Sequence, residues 1–286
     1  MATLSPVASR GLRTVALVAG ASSLLVGCAG QARPNGLPSE PGITNHTGRI
    51  IDLWDYSWIA ALAVGAVTWA LILWSVAVYR KRKGDEKIPE QTRANIPLEL
   101  MYVMVPLIMV AALFRWTVVD TAAVTDTSGD PDIRIQMIGK QWAWDINYLD
   151  DDVYTSGVQA RLTGEPGVED TLTTLYLPVG ELVDIQLNSR DVIHSFWVPA
   201  FLNKLDMVPG RTNHMQFIPQ KEGTYQGKCA ELCGEYHASM LFNVKVVDRE
   251  EYDAYIESLR EQGNVGSIGL EYSRLQNAAL DSGEEG

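Results

Sequence analysis

Two cysteines, a histidine and a methionine lie within a short stretch late in the chain. They are Cys229, Cys233, His237 and Met240, in the spacing Cys-x3-Cys-x3-His-x2-Met. Thiolate, thioether and imidazole form a soft ligand set, which selects copper over magnesium, calcium or manganese. A second histidine, His194, lies upstream in the segment Asp-Val-Ile-His-Ser-Phe-Trp-Val-Pro. The pattern predicts a copper site built from two loops.

Three kinds of site compete for these side chains. A structural zinc ion takes four tetrahedral ligands, which the two cysteines and two histidines would supply, leaving Met240 unused. A disulfide is common in exported proteins but leaves the histidines and Met240 unexplained. A blue-copper site uses one Cys, two His and a weak axial Met, so one thiolate would be left over. Two thiolates can instead bridge two copper ions, with one histidine terminal on each, and we favour this arrangement.

Such a site suits electron transfer better than chemistry on a substrate. Shared sulfur bridges spread one electron over two metal ions, so that each bond length changes little on reduction. Bound metal also keeps both thiols deprotonated. The motif offers no open position at which a substrate would bind. The sequence therefore predicts an electron relay.

Charge and cysteine content narrow the function classes. The 286 residues carry a net charge of −12, and the part from residue 121 onward holds 27 acidic and 12 basic residues. Nucleic-acid binding requires a basic face and is excluded. An acidic domain suits a basic protein partner through electrostatic steering, or it keeps an exported domain soluble. The chain has three cysteines and no Cys-x-x-Cys-His motif, so it carries no covalently attached c-type haem.

The first residues have the form of an export signal. Residues 1–28 combine Arg10 and Arg13 with an apolar run that is too short for a bilayer, which needs about 20 residues. The run ends in Leu-Val-Gly-Cys, which resembles the lipobox of bacterial lipoproteins, so Cys28 is predicted to be acylated. An ordinary signal peptide or an uncleaved anchor is the alternative. Residues 29–53 are predicted to be a linker, flexible over most of its length.

Two long apolar segments follow the linker. Residues 54–79 and 96–119 are each long enough to span a membrane, and the loop of residues 80–95 begins with Arg-Lys-Arg-Lys. A basic cluster marks the cytoplasmic side, so both termini and the acidic bulk are predicted to lie outside the cytoplasm. Glu99 interrupts the start of the second span. An ionisable residue at membrane depth is a functional candidate, although an interfacial carboxylate is the alternative.

The period of the apolar residues changes to two after a predicted linker at residues 120–131. Within residues 132–262 strand-like runs occur at 133–138, 142–148, 172–177, 182–187, 212–218, 224–228 and 240–247. Many short strands indicate a β-sandwich or barrel. The polar stretch 150–167 is predicted to be a loop. Asp248 is a predicted N-cap for a short amphipathic helix, and the tail of residues 263–286 is predicted to be weakly ordered.

With these elements in place, the chain resembles subunit II of bacterial haem–copper cytochrome c oxidases. The family pattern His-Ser-x3-Pro, followed by Cys-x-Glu-x-Cys-x3-His-x2-Met, occurs in full. The resemblance covers most of residues 50–260. It implies a membrane-anchored all-β protein, with a two-helix transmembrane hairpin, a cupredoxin-like Greek-key β-sandwich and a short C-terminal helix.

The resemblance also implies a ligand set for a dinuclear copper centre, CuA. Cys229 and Cys233 would bridge the two copper ions. His194 and His237 would be the terminal ligands, and Met240 would be a weak ligand. No haem and no catalytic residue are expected in this chain, because the oxygen-reducing site of the family lies in another subunit.

Further roles follow from matching segments. Glu231 would offer its carbonyl oxygen to copper and its side chain to a magnesium ion shared with subunit I. Trp142, in Gly-Lys-Gln-Trp-Ala-Trp, would receive electrons from cytochrome c, although an alanine replaces a frequent third aromatic residue and core packing is the alternative. Glu99 matches a glutamate at the mouth of a proton channel. Asp206 and Arg211 match a loop that faces subunit I, with an ordinary Pro-Gly turn as the alternative.

Together these features predict the electron-accepting subunit of a proton-translocating cytochrome c oxidase. Its expected partners are oxidase subunit I, other oxidase subunits and a c-type cytochrome that donates electrons. Its expected location is the cell membrane of a bacterium, with the copper domain on the extracytoplasmic side. A membrane-tethered copper carrier or chaperone is the alternative, in which the metal would exchange.

Overall fold

The computed structural model describes residues 36–84, 88, 90–164 and 167–270. These residues form two long helices, α1 (Thr47–Val78) and α2 (Ile96–Val124), then a β-sandwich and a C-terminal helix α3 (Arg249–Glu261). The predicted signal segment, Cys28 and the end of the tail lie outside the described residues. The predicted fold class, a helical hairpin before an all-β domain with a short final helix, is confirmed.

Helices α1 and α2 extend beyond the predicted spans. They contain 32 and 29 residues with hydropathy 2.1, and their apolar windows are unburied within the chain. At about 1.5 Å per residue they are roughly 48 and 44 Å long, whereas the hydrocarbon core of a bilayer is about 30 Å thick. Helical hydrogen bonding therefore continues past the apolar residues on which the prediction was based. At the far end from the basic loop, Arg49 Nη1 lies 2.8 Å from Asp120 Oδ1 and joins the two helices.

The residues just before α1 are attached to the β-sandwich and are not a loose linker. Thr44 forms an antiparallel bridge with Pro219. The amide of Gln220 donates to the carbonyl oxygen of Ile43 at 2.9 Å, and Ile43 itself is buried. The predicted flexibility of this linker is thus wrong for its last residues, because a segment too short to be recognised as a strand pairs with a distant one.

The sandwich consists of two mixed five-stranded sheets. One has the order β3-β2-β1-β5-β8 and the other β4-β10-β9-β6-β7. The pairs β1–β5 and β4–β10 are parallel, and the other pairs are antiparallel. In chain order the strands are β1 (Ile133–Lys140), β2 (Ala143–Tyr148), β3 (Val153–Ser156), β4 (Thr174–Pro178), β5 (Val183–Ser189), β6 (His194–Val198), β7 (Asn203–Met207), β8 (Asn213–Phe217), β9 (Gly223–Cys229) and β10 (Leu241–Val247).

Three strands were not predicted from the sequence. Strand β3 lies inside the stretch 150–167 that was predicted to be a loop, and it is a four-residue strand paired with β2. Strands β6 and β7 lie in the segment around His194, which was predicted to be a loop. Strand β6 lacks the alternation of a half-exposed strand, because His194, Ser195 and Phe196 are all fully buried. His194 therefore begins a central strand, and its position is fixed by sheet pairing.

Aromatic residues fill the space between the sheets near the predicted metal ligands. Trp144 is fully buried, and its ring centroid lies 4.9 Å from that of Phe242 and 6.4 Å from that of His194. Phe196 stacks on Phe242 at 5.3 Å. Full burial of one such side chain contributes about 1.5–3 kcal/mol. These rings form a rigid apolar wall, and Trp144 belongs to the core.

The C-terminal helix follows the prediction, while the start of the tail does not. The Asp248 side chain accepts a hydrogen bond from the Glu251 amide at 2.8 Å, which confirms the N-cap. Residues 264–270 lie along the edge of the first sheet. Asn147 and the backbone of Ile268 exchange two hydrogen bonds of 2.9 Å, and the amide of Tyr154 donates to the carbonyl oxygen of Asn264. This part of the tail is ordered because it pairs with an edge that sequence periodicity does not reveal.

Candidate metal centre

The four ligands of the Cys-Cys-His-Met motif lie on one hairpin connection. Cys229 is the last residue of β9, and Met240 directly precedes β10. The amide of Cys229 donates to the carbonyl oxygen of Met240 at 3.0 Å, which closes the connection at its base. Between them, Gly234 has a φ of 121°, a conformation that a residue with a Cβ rarely adopts. The turn at this glycine directs the loop back toward the sheet.

Pairing of β6 with β9 brings the distant histidine to the same place. Phe196 lies opposite Cys229 in this antiparallel pair, and His194 lies two residues earlier on the same face. The Nδ1 atom of His194 is 3.8 Å from the sulfur of Cys229. Gly139 on β1 makes room for the imidazole, because a Cβ at this position would lie only 2.8 Å from His194 Cδ2. Three strands thus position one ligand.

The sulfur and nitrogen atoms form a continuous chain of contacts. The sulfurs of Cys229 and Cys233 are 3.8 Å apart, and both cysteines are free. The Cys233 sulfur lies 3.6 Å from His237 Nδ1 and 3.7 Å from Met240 Sδ. A disulfide would need a separation of about 2.05 Å, so the sulfurs are not bonded. The predicted donors are therefore brought together, with the thiols in the middle and one histidine at each end.

The four nitrogen and thiol donors do not form one compact group. The ligand atoms of His194, Cys229 and Cys233 lie within 4.8 Å of one another, and His237 is not part of that group. A tetrahedral zinc ion must have all four ligands at about 2.0–2.3 Å. The compact group therefore supplies three of the four ligands that a structural zinc ion would need, and the number of metal ions stays a prediction.

Asp191 fixes the orientation of the buried imidazole. Its Oδ1 atom lies 2.8 Å from His194 Nε2, and its Oδ2 atom accepts a hydrogen bond of 2.7 Å from the amide of Gln141. Since a carboxylate only accepts, Nε2 donates and Nδ1 faces the Cys229 sulfur. A metal-bound histidine commonly has such a partner on its second nitrogen. Burial opposes protonation of the ring, but the hydrogen bonds and charges of Asp191 and Cys229 together outweigh it and raise the pKa of His194.

The two thiols ionise unequally. Burial opposes ionisation of Cys229, but the interaction with His194 and backbone hydrogen bonding near Glu231 lower its pKa. Burial and the adjacent Cys229 sulfur raise the pKa of Cys233. The second negative charge is unfavourable because it forms next to the first. A cation bound between the two sulfurs would favour deprotonation of both thiols.

Trp142 directly contacts the loop between β9 and β10. It was predicted to begin the second strand, but β2 starts one residue later. It is half-buried, and its Nε1 donates to the carbonyl oxygen of Cys233 at 3.2 Å. The side-chain amide of Gln141 donates to the same oxygen at 2.8 Å. The indole also meets Tyr236 edge to face, with ring centroids 5.0 Å apart. A single hydrogen bond thus joins the Trp142 ring to the Cys233 backbone.

The remaining predicted residues lie at the surface of the chain. Glu231 has an exposed side chain, and its carbonyl oxygen is 3.2 Å from the Cys229 sulfur. Asp206 belongs to β7, and both Asp206 and Arg211 are exposed. The Glu99 carboxylate accepts a hydrogen bond of 2.8 Å from the amide of Asn95, the N-cap of α2, so it also serves as a helix cap.

Sequence reasoning missed Asp191, Gln141 and Gly139, which hold the ligands in place. Asp191 lies three residues before His194, a spacing at which a carboxylate often meets a histidine across a turn. Gly139 opens the segment that ends in Trp142, and a glycine inside a strand pattern indicates close approach of another group. Gln141 gave no signal, because its role depends on a contact with a loop 92 residues away.

A β-sandwich that brings two thiols, two imidazoles and a thioether together, and that follows two membrane-capable helices, defines a membrane-anchored soft-metal protein. Comparison with known proteins narrows this class. Residues 133–247 match the model of the cytochrome c oxidase subunit II periplasmic domain. The chain belongs to the cytochrome c oxidase subunit 2 family.

Relatives align over most of the chain. A probable cytochrome c oxidase subunit 2 of Streptomyces coelicolor is 41% identical over 271 residues, which covers 85% of this chain and 84% of the relative. A cytochrome c oxidase subunit 2 of Mycobacterium tuberculosis is 31% identical and covers 87% of this chain and 82% of the relative. The solved periplasmic domain of cytochrome oxidase subunit II from Bradyrhizobium japonicum is 32% identical with a TM-score of 0.43, covering 47% of this chain and 97% of that domain.

Proposed function

We propose that this chain is the electron-accepting subunit of a terminal respiratory oxidase. It would take single electrons from a cytochrome c at a dinuclear copper centre, CuA, and pass them to haem in oxidase subunit I. There oxygen would be reduced to water with proton translocation, so the oxygen-reducing site is not in this chain. The observation that carries the proposal is the buried pair of thiols between two histidines.

The protein part of the centre is suited to rapid electron exchange. Cys229 and Cys233 would bridge the ions, and the contact of Met240 Sδ with Cys233 supports a weak third interaction. The Glu231 carbonyl oxygen lies beside the Cys229 sulfur and would complete the set. Bound copper would supply a one-electron couple, while strands β6 and β9 hold the ligands nearly still. Rigid, buried ligands keep the reorganisation on electron transfer small.

Trp142 would be the point at which electrons arrive. Its hydrogen bond to the Cys233 carbonyl gives a short connected path from the protein surface to a bridging ligand. Tyr236 and Leu232 beside it in the loop are 41% and 78% exposed, which offers apolar contact to a partner protein. The excess of acidic residues from residue 121 onward would steer a basic cytochrome toward this domain.

Four residues, three of them exposed and Glu99 half-buried, would face the rest of the oxidase. Glu231 would bind magnesium at the boundary with subunit I, where the other subunit would supply further ligands. Asp206 and Arg211 would make polar contacts with subunit I. Glu99 would lie at the mouth of a proton channel, and its bond to Asn95 would have to exchange with water or a partner group for it to handle protons.

The orientation follows from the charges. We propose that the loop beginning at Arg80 faces the cytoplasm of a bacterium and that the copper domain and both termini lie outside. The two membrane-capable helices and the attachment of residues 43–46 to the sandwich support a domain held at the membrane surface. Acylation of Cys28 would add a second anchor, and mass spectrometry of the mature N-terminus tests it.

Spectroscopy of the copper-loaded protein tests the function. We expect near-infrared absorption and a mixed-valence EPR signal with hyperfine coupling to two equivalent copper nuclei. A single-copper signal, or copper that a chelator removes readily, would instead support the tethered copper carrier. Reduction by a c-type cytochrome in stopped-flow measurements is the second requirement.

A further inference from the structure

An open groove between the outer ends of α1 and α2 has no part in the metal centre. It has a volume of about 540 Å³. From α1 it is lined by Arg49, Asp52 and Tyr56, and from α2 by Trp116 and Asp120. The groove thus combines charged groups at its rim with aromatic rings further along the helices. This combination calls for a ligand that has a charged and an apolar part.

The groove lies at the depth of the lipid headgroups. About 20 helical residues cross the hydrocarbon core. Counted from Val78, next to the basic loop, this length reaches back to about residue 59 on α1. Counted from Ile96, it reaches forward to about residue 115 on α2. All five lining residues named above fall just beyond these limits on the side away from the basic loop.

The aromatic residues mark the lower boundary of the groove. Tyr56 and Trp116 stack with ring centroids 6.1 Å apart and planes 8° from parallel. Tyr and Trp are enriched at the level where headgroups meet acyl chains. Leu113 lines the groove one turn deeper on α2. A lipid whose headgroup lay at the rim would place the start of its acyl chains against this stack and Leu113.

The charges at the rim select one kind of headgroup. Arg49 is held by Asp120 at 2.8 Å, yet 45% of its side chain is exposed and its other N–H groups can meet a ligand. Asp52 is exposed, and among the described residues no hydrogen bond or ion pair involves its carboxylate. Two carboxylates and one guanidinium leave a net charge of −1, which repels an anionic headgroup. A zwitterion with a phosphate and a hydrogen-bonding ammonium complements them.

We propose that this groove binds a phospholipid whose headgroup carries a primary amine, of the phosphatidylethanolamine type. Arg49 binds the phosphate, since guanidinium groups match phosphate oxygens in pairs. Asp52 accepts hydrogen bonds from the ammonium group, which a quaternary amine cannot donate. The lipid fixes the splay of the two helices directly beneath the copper domain. This site is separate from the electron relay and does not depend on the copper assignment.

Native mass spectrometry of the complete oxidase tests the proposal. The complex is purified with wild-type chain, Asp52→Asn or Asp130→Asn, and titrated with phosphatidylethanolamine or phosphatidylglycerol. Removing one exposed charge contact should lower the preference for phosphatidylethanolamine by about fivefold in Asp52→Asn. Asp130→Asn removes an exposed carboxylate outside the groove and should behave like wild type.

A second variant distinguishes a loss of lipid binding from a change in folding. Arg49→Lys keeps the charge that pairs with Asp120 but loses the forked phosphate contact, so it should also lose bound phosphatidylethanolamine. Equal retention by all variants, stronger retention of phosphatidylglycerol, or subunit I side chains filling the groove in the complex would overturn the proposal. The copper spectrum, recorded on the same samples, should be unchanged, so a failure here is distinct from a failure of the proposed electron relay.

Discussion

The two histidine ends of the metal centre are built in different ways. His194 is fully buried on the central strand β6, and Asp191 holds its second nitrogen. His237 is half-buried in a single 3-10 turn of the loop, next to the exposed Tyr236. The first end is fixed by residues from both sheets, whereas the second lies in the loop, which Gln141 and Trp142 contact from outside. Under the proposed function, the His194 half would support the metal and the His237 half would meet the electron donor.

This difference has a functional meaning. A buried, hydrogen-bonded imidazole resists movement and excludes water, which favours a stable metal centre. A half-exposed ligand beside Trp142 keeps the distance to a donor short. We therefore expect changes near His194 to reduce metal binding and changes near His237 and Trp142 to reduce electron exchange. The following variants test that division.

The largest effect is expected when Cys229, one of the two thiols between the histidines, is replaced. Cys229→Ser should abolish the two-copper spectrum, because a hydroxyl group does not replace a bridging thiolate. EPR and near-infrared absorption of the copper-loaded protein measure this. Cys28→Ser removes the one cysteine outside the motif and should retain the spectrum. An intact two-copper signal in Cys229→Ser would refute the bridging role.

Crowding the buried half should impair folding as well as metal binding. In Gly139→Ala the new Cβ would lie 2.8 Å from His194 Cδ2 and 2.9 Å from Cγ, in a fully buried place. Overpacking of this kind costs about 1–3 kcal/mol of unfolding free energy. Denaturant unfolding and copper titration measure the two effects. Gly65→Ala, where nothing lies within 4 Å, is the control and should lower neither quantity, because alanine favours the helix in which Gly65 lies.

Removal of the support for His194 should weaken metal binding without abolishing it. Asp191→Asn keeps the shape of the side chain but loses the charge that holds Nε2. Loss of such a partner lowers metal affinity by about 10–100-fold. Competition with a copper chelator measures the change. Glu235→Gln removes an exposed carboxylate in the His237 half, and a similar loss there would contradict the division between the two halves.

Replacement of Trp142 is expected to change the metal centre less than any of the other substitutions. Trp142→Ala should keep the copper spectrum but slow the oxidation of cytochrome c by about tenfold, the usual effect of losing an aromatic contact at an interface centre. Trp142→Phe keeps a ring and loses only the hydrogen bond to Cys233, so its effect should be smaller. Stopped-flow kinetics measure both. Equal rates for all three proteins would mean that Trp142 only packs against the loop.

Elements with a strong period were predictable, and elements fixed by pairing were not. Strands β1, β2, β5 and β10 carry long apolar patterns and lie where the sequence predicted them. Strand β3 has four residues, and residues 264–270 follow no period, so only their partners define them. The prediction also missed the outer turns of α1, because an apolar run marks the part of a helix that lies in the membrane and not the residue at which the helix begins or ends.

The sequence by itself determined which donors are present. Two thiols, two imidazoles and a thioether at these spacings already specify a soft metal, because ligand chemistry does not depend on the fold. Two apolar stretches separated by a basic loop likewise determined that the domain follows a membrane hairpin.

The tertiary structure decided how the donors are arranged. The register of β6 against β9 places His194 beside Cys229, and the loop places His237 beside Cys233. These contacts join residues up to 35 positions apart in the chain, so local patterns do not encode them. Only folding brings the thiol pair between two imidazoles and sets Trp142 against the Cys233 backbone.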